Sequence, residues 1–351
     1  MPNGSGRSPA RPRMVDIARR AGVSITTVSH VFNETRFVSD EARRRVLDAA
    51  AEMSYTPNIL ARSMRTSTTD MIGLAAPALS KVALGDLVRS IEVEAKSQHL
   101  SILFSDTEDD PETERSAIQA LHERRVDGII IAPSAPDSPA VQYLREHAIP
   151  TVVVDRFTTG GFDQIGSENI RSTHQLTEHL IVEGGHRRIG LITSMPDLST
   201  MAERVKGYRR ALKAHRIPLD PDLVSPGFDN AATVDRALAG FLGLPEPPSA
   251  IVSANSSTTI SVMRAANTRG LRVPEDLALV GFDDFEWADV FHPRLTVVRQ
   301  RMEEIGQRAV QLLMRRIADP DAPVSTRRVA GDFIHRDSCG CHLHRPQPAP
   351  A

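Results

Sequence analysis

Two groups of residues in this 351-residue chain have the types and spacing to do chemistry. The first is compact. After Ser24, Val28, Val31 and Phe32 recur on one side of a helical repeat, while Ile25, Thr26, Ser29, His30 and Asn33 recur on the other. Nearly all of the second set can donate or accept hydrogen bonds. A helix with one apolar face for its neighbour and one polar face for base edges has the form of a major-groove reader. The second group is dispersed: Asp106, Asp155, Asn255 and Asp283 each end a short β-rich run. In open α/β sheets, ligands bind beyond such strand ends. Acids, an amide and an arginine beside an aromatic surface suit a polyhydroxylated ligand. Carboxylates accept from its hydroxyls, a guanidinium donates in return, and a ring covers an apolar sugar face.

Each group needs elements to hold it. Ile17, Ala18 and Ala21 recur at helical spacing, Gly22-Val23 supplies a turn, and Ser24 is a good N-cap for the polar-faced helix. Ser39, with Asp40 and Glu41 behind it, starts a third helix. That helix is expected to carry Val46, Leu47 and Ala50 inward and Arg43, Arg44 and Arg45 toward solvent. From Asp70 onward the pattern changes. Strands are expected at 71–76, 101–105, 128–132, 151–155, 188–193, 250–254 and 277–283, and helices at 85–98, 112–124, 169–183, 201–215, 231–242 and 257–269. Alternation of this kind means right-handed βαβ units and parallel sheets. The strands are too many for one compact sheet, and a break near 165–169 divides them into two doubly wound lobes.

Composition narrows the function. A hydrophobic content of 40% and a charged content of 25% are those of a soluble globular protein. The net charge of −2 hides an asymmetry: residues 1–69 hold eleven Arg, no Lys and six acids, and the rest holds 31 basic and 38 acidic residues. A basic front on an acidic body fits a highly negative partner, and DNA is the expected one. No apolar run reaches membrane-spanning length and no signal-peptide pattern opens the chain. Two cysteines, Cys339 and Cys341, are too few for a disulfide framework, so a cytoplasmic location and no membrane partner are expected. The sequence has no Walker loop, H-E-x-x-H or G-x-S-x-G, and neither an enzyme nor a cofactor is expected. Cys339-x-Cys341 with His342 and His344 has the elements of a metal site. It follows the last strand in a Pro-rich stretch, however, and the reading is a loose tail with no metal. Gly185-His186 reads as a helix C-cap.

The run DIARRAGVSITTVSHVFN followed by YTPNILARSMR resembles the DNA-binding headpiece of the LacI family of bacterial transcriptional repressors. Over 26–38 it is most similar to the family's purine repressor. The resemblance implies an N-terminal all-α helix-turn-helix headpiece. To this it adds an α/β core of two doubly wound parallel-sheet lobes like the periplasmic sugar-binding proteins. Residues 1–13 are then a disordered tail, 14–57 the helix-turn-helix domain, 58–69 a hinge helix or linker, and 70–337 the effector-binding and dimerisation core. Lobe 1 takes about 70–165 and 298–325, and lobe 2 about 166–295 and 327–337. A last helix at 302–317 and a strand at 326–334 return the chain across both lobes, and 338–351 is a flexible tail.

The implied DNA contacts are Ile25, Thr26, Thr27, Ser29, His30 and Asn33. Ala61 and Met64 join them from the hinge, Met64 replacing a leucine that wedges into a base step. The implied effector contacts are Asp155, Arg204 (in AERVKGY), Phe228, Asn255 and Asp283. Three departures stand out. Arg13 replaces the usual Thr or Ser cap, with Asp16 placed to compensate. Glu168-Asn169 replaces Asp-Asn. Ala83-Leu84 replaces an aromatic pair, which argues against a purine effector and for a sugar or related metabolite. The implied protein is a homodimeric repressor of double-stranded operator DNA, controlled by a small molecule between the lobes. Helix 85–98 carries Leu87, Val88, Ile91 and Ala95 in a stripe wide enough for its own sheet and a partner. A solute-binding or transport component would explain the core, but it requires a signal peptide and leaves the headpiece without a use.

Overall fold

The structure is a computed structural model that describes residues 12–33, 36–55, 68–77, 82–195, 198–226 and 230–343. Residues 1–11 of the expected tail, and 56–67 with Ala61 and Met64 of the expected hinge, lie outside the described residues. The chain divides into two compact units, Met1–Thr69 and Asp70–Ala351.

The first unit holds helices α1 (Met14–Ala21), α2 (Ile25–Asn33) and α3 (Asp40–Glu52). Gly22 ends α1 in the left-handed region at φ 65°, and the backbone N–H of Ser24's neighbour Val23 reaches the Ala18 carbonyl. Ser24 Oγ accepts from Thr27 N at 3.0 Å and so caps α2. Asp16 does compensate for Arg13: its carboxylate accepts from Arg13 N at 2.9 Å. Ile17, Val28, Val31 and Val46 are buried together with Ala18, Ala21, Ala49 and Ala50. On α3 the expected inward set is corrected at one position. Leu47 is exposed and Ala49 takes its place, because a 3.6-residue turn puts 46, 49 and 50 on one side.

The second unit holds two six-stranded sheets. The first has order β11-β5-β4-β3-β1-β2, from β1 (Met71–Ala76), β2 (Ser101–Asp106), β3 (Gly128–Ile131), β4 (Thr151–Val154), β5 (Asp163–Ser167) and β11 (Thr326–Val329). The second has order β12-β10-β9-β8-β6-β7, from β6 (Ile189–Thr193), β7 (Val224–Pro226), β8 (Ala250–Ser253), β9 (Ala278–Phe282), β10 (Thr296–Arg299) and β12 (Asp332–Ile334). Every pairing is parallel except β10 with β12. The central strands β3, β4, β8 and β9 are buried throughout, as expected where helices cover both faces.

In the first lobe, α4 (Val82–Ser97) and α11 (Met302–Ala318) cover one face, and α5 (Pro111–Glu123) and α6 (Pro139–Glu146) the other. In the second lobe, α7 (Asn169–Val182) and α8 (Ser199–Ala214) lie opposite α9 (Ala231–Leu242) and α10 (Ser256–Thr268). The chain crosses between lobes three times: from β5 to α7, from β10 to α11, and from β11 to β12.

Three expectations about the core are corrected. The strand expected over 326–334 is two strands in different sheets, so 326–329 belongs with the first lobe and 296–299 with the second. Of the expected stripe, Leu87, Ile91 and Ala95 are fully buried against the chain's own sheet and α11, and only Val88 is half-buried beside them. The expected loose tail is packed as far as Leu343. Ser338, Cys339 and Cys341 are buried, the cysteines within the core that α7 and α8 form with the second sheet.

The tightest helix packing on this side depends on Gly207 of α8. A Cβ there would overlap the Ile170 carbonyl oxygen and lie 2.9 Å from Thr173 Cβ, both on α7. Gly207→Ala is therefore expected to push the helices apart and cost about 1–3 kcal/mol. Urea denaturation followed by far-UV circular dichroism checks this, and an unchanged midpoint would remove the close-packing argument.

Candidate functional site

The outward face of α2 carries the polar residues in the expected order. Ile25 is 51% exposed, Thr26 is exposed, and Thr27, Ser29 and His30 are half-buried. Thr27 is partly committed to the helix start, since its hydroxyl lies 2.9 Å from Ser24 Oγ. Asn33 is the last residue of α2, and its side chain lies outside the described set. Arg44 and Arg45 on α3 are exposed, and Arg43 is half-buried. Phe37, in the connection from α2 to α3, is 96% exposed, a feature that the helical periodicity gave no reason to single out.

In the second unit, Asp155, Arg204, Asn255 and Asp283 line one cavity of about 60 Å³ between the lobes. Ser194, Thr200, Ser256 and Ser257 add hydroxyls, and Leu84, Met201 and Met302 add apolar wall. Phe228 lies outside the described residues, and Ala83's side chain does too. Asp155 and Asp283 stand in matching places, immediately after β4 and β9. Both adopt the left-handed conformation, at φ 62° and 78°. Aspartate tolerates that region better than most side chains, and the reversal at the strand end turns each carboxylate toward the cavity. Asp106, at the end of β2, instead accepts from Glu108 N at 2.8 Å.

Arg204 is the centre of the cavity wall and is 3% exposed. Its Nε donates to Asn169 Oδ1 at 2.9 Å, its Nη1 donates to the Ala254 carbonyl, and its guanidinium lies 3.6 Å from the centre of the Phe282 ring. Asn169 also donates to Glu203 Oε2 at 2.9 Å, and Glu203 binds Arg328 of β11 in a two-pronged pair at 2.6 and 2.9 Å. Ser199 accepts from the Phe157 backbone at 3.1 Å, and Arg328 covers the Phe157 ring at 4.2 Å. These contacts run from one lobe to the other. Glu168 does not reach the cavity in place of an Asp: it caps α7, accepting from the N–H groups of Ile170 and Arg171. Glu203, Gln300 and Arg328 were not foreseen, and Asn169, singled out only as part of the Glu168-Asn169 pair, is the member of it that holds Arg204. Glu203 and Arg328 are 125 positions apart, and no local pattern joins them.

Burial pushes the Asp283 carboxyl above the usual carboxylate range. The Arg204 charge and the hydrogen bond from Gln300 Nε2 pull the other way, and the nearby Asp155 charge adds to the rise. A wider groove of about 890 Å³ adjoins the cavity through Asp283, Gln300 and Met302. Its walls are ion pairs, Arg301 with Asp332 at 2.6 Å and Arg336 with Asp284 at 2.9 Å.

A family model described as bacterial regulatory proteins, lacI family, matches residues 13–58, and one for a periplasmic binding protein-like domain matches 177–339. The chain is 32% identical over 324 residues to the HTH-type transcriptional repressor PurR of Vibrio atlanticus (strain LGP32), covering 92% of this chain and 97% of that protein. The chain belongs to the LacI family. Like the other regulators of that family, it is a DNA-binding transcriptional regulator with a helix-turn-helix unit and a periplasmic-binding-protein-like core. A structure of the Lac repressor dimer bound to operator and the anti-inducer ONPF matches this LacI-family chain with a TM-score of 0.82 at 26% identity, over 93% of this chain and 99% of that one. A complex of the transcriptional regulator CelR with cellobiose matches with a TM-score of 0.71 at 27% identity, over 93% and 100%. Among the described residues no helix is long and apolar enough to cross a membrane.

The raised Asp283 pKa has a consequence for stability. The folded protein holds the neutral acid better than the unfolded chain does. That contribution is complete below the ordinary carboxylate pKa and is lost as pH rises through the folded value. Asp283→Asn keeps an acceptor for Gln300 and removes the ionisation. The urea midpoint of the variant is expected to exceed that of the parent by a margin that widens from about pH 5 to about pH 8. An equal margin at both pH values would mean that no buried carboxylate is being charged.

Proposed function

We propose that this protein is a homodimeric repressor that reads double-stranded operator DNA with α2 and responds to a sugar or related polyhydroxylated metabolite held between its lobes. It acts in the cytoplasm and catalyses no reaction. In this reading Thr26 and His30 read base edges beside Ile25, Thr27, Ser29 and Asn33, while the arginines of α3 hold phosphates. Ala61 and Met64 contact the minor groove. Asp155, Arg204, Asn255 and Asp283, with Phe228, bind the effector.

The observation that carries the effector class is the composition of the interlobe cavity. Two carboxylates (Asp155 and Asp283), two guanidiniums (Arg156 and Arg204), two amides (Asn255 and Gln300) and four hydroxyls converge there. Hydroxyl groups of a sugar find both donors and acceptors in such a shell. The relative solved with cellobiose points the same way. At about 60 Å³ the cavity is far below the roughly 300 Å³ of ordinary ligand sites. Entry of an effector therefore requires the lobes to part. The Glu203–Arg328 and Ser199–Phe157 contacts cross between the lobes. An effector that favours one lobe angle shifts operator affinity by its differential affinity for the two arrangements, about 1–3 kcal/mol of coupling.

A thermal-shift screen against sugars, nucleosides and purines identifies the effector class, since a ligand bound only to the folded state raises the melting temperature. Fluorescence anisotropy on operator and random DNA then tests both sites. His30→Ala is expected to weaken operator binding by about 1–3 kcal/mol and leave random DNA nearly unaffected. Equal losses on the two DNAs would remove His30 from base reading. Arg204→Ala and Asp283→Ala should bind operator but no longer respond to the effector. A full response in both variants would sink the cleft assignment, and light scattering that found a monomer on tightly bound operator would sink the dimer.

A further inference from the structure

The packed end of the chain brings together four side chains that the regulatory reading does not use. His179 comes from the last turn of α7, His335 follows β12, and Cys339 and Cys341 flank Gly340 in the turn beyond. One nitrogen or sulfur from each lies within 4.8 Å of the other three. Cys341 Sγ is 3.0 Å from His335 Nε2 and 3.4 Å from Cys339 Sγ. We propose that His179, His335, Cys339 and Cys341 form a zinc site that ties the end of the chain to α7.

The donor set is the first reason. Two thiolates and two neutral imidazoles are a tetrahedral S2N2 set, which selects Zn2+ among the common divalent ions and neutralises its charge. Bond lengths of about 2.3 Å to sulfur and 2.0–2.1 Å to nitrogen place ligand atoms roughly 3.3–3.8 Å apart. The sulfur pair at 3.4 Å is within about 0.4 Å of the roughly 3.8 Å that two zinc-bound sulfurs take, the His335–Cys341 contact at 3.0 Å has about 0.5 Å to open, and no separation in the cluster exceeds 4.8 Å.

The scaffold is the second reason. Gly340 takes the left-handed conformation at φ 68°, and a Cβ there would lie 2.9 Å from Pro274, so the turn that points both sulfurs inward requires glycine. Ser338 is fully buried; its Oγ donates to the Leu279 carbonyl and accepts from Thr296 N, and Leu279 N donates to its carbonyl. Arg294 grips Asp337 at 2.7 and 3.1 Å, and Arg336 grips Asp284 at 2.9 and 3.0 Å. On the ring side, His179 meets His335 edge-on at 5.1 Å, and Phe333 lies 5.0 Å from His179. Cys339 and Cys341 are buried while His335 is exposed, which leaves a route for an ion. Binding exchanges the two thiol protons for Zn2+, with both protons going to solvent and no change of oxidation state.

The test uses the full-length chain without an affinity tag, purified with a thiol reductant and no chelator. Elemental analysis is expected to give one zinc per chain. Co2+ added to the chelated protein should give the intense visible bands of a tetrahedral thiolate site. Cys339→Ser with Cys341→Ser, His179→Ala and His335→Gln should each lose stoichiometric zinc, whereas His342→Ala with His344→Ala keeps it. Chelation should lower the melting temperature of the parent but not of the double-serine variant. Zinc well below stoichiometry in the reduced parent, a six-coordinate Co2+ spectrum, or a Cys339–Cys341 disulfide detected by mass would each overturn the proposal. Loss of zinc in the His342/His344 variant would overturn the ligand set. Because the Co2+ spectrum is read on the unaltered chain, a variant that fails to fold does not spare the proposal.

Discussion

The core of the second unit depends on keeping one guanidinium charged out of water. Arg204 is almost wholly buried, and a buried charge is tolerable only when its donors and its field are both answered. Asn169 and the Ala254 carbonyl answer donors, and the Phe282 ring answers the field. Each of those groups comes from a different element, so α7, α8, β8 and β9 meet at a single side chain. Removing a partner from such a charge costs about 3–5 kcal/mol, much more than an exposed ion pair contributes.

The same guanidinium makes the cavity wall and the interlobe contacts parts of one network. Asn169 serves Arg204 on one side and Glu203 on the other, and Glu203 holds Arg328 of the opposite lobe. A ligand group that competes for Arg204 or for Asn169 therefore acts on a contact that fixes the lobe angle. Left-handed aspartates in matching places after β4 and β9 give each lobe one carboxylate to offer. Backbone conformations of this kind are costly and tend to be kept where they position a functional group.

Helix α7 links this network to the end of the chain. Asn169 at its start holds Arg204 of the cavity wall, and His179, roughly 15 Å further along the axis, belongs to the Cys339–Cys341 cluster. Gly207 brings α8 close against α7 between these points, which leaves α7 little room to move independently of the second sheet. By contrast the first unit is small: among its described residues eight buried apolar side chains form the core, and caps at Ser24, Ser39 and Asp16 begin its helices.

Local physics was legible in the sequence wherever a signal repeats within a few residues. Periodicity placed α2 with Val28 and Val31 inward and Ile25 and Thr26 outward, and continuous apolar runs placed the central strands to within a residue or two. Short elements with weak periodicity, such as β5, β7 and α6, escaped. The polar strand ends Asp155, Asn255 and Asp283 could be anticipated because parallel sheets put carboxyl ends on one side. Partners distant in the chain could not. Only the tertiary structure decided that 326–329 and 332–334 join different sheets, since one extended run can pair wherever an edge is open. It alone turned the α4 stripe against α11 and answered Arg204 with Asn169. The two cysteines read as a loose tail because their histidines lie on α7 and after β12, and a site of that kind exists only once the elements carrying it are packed.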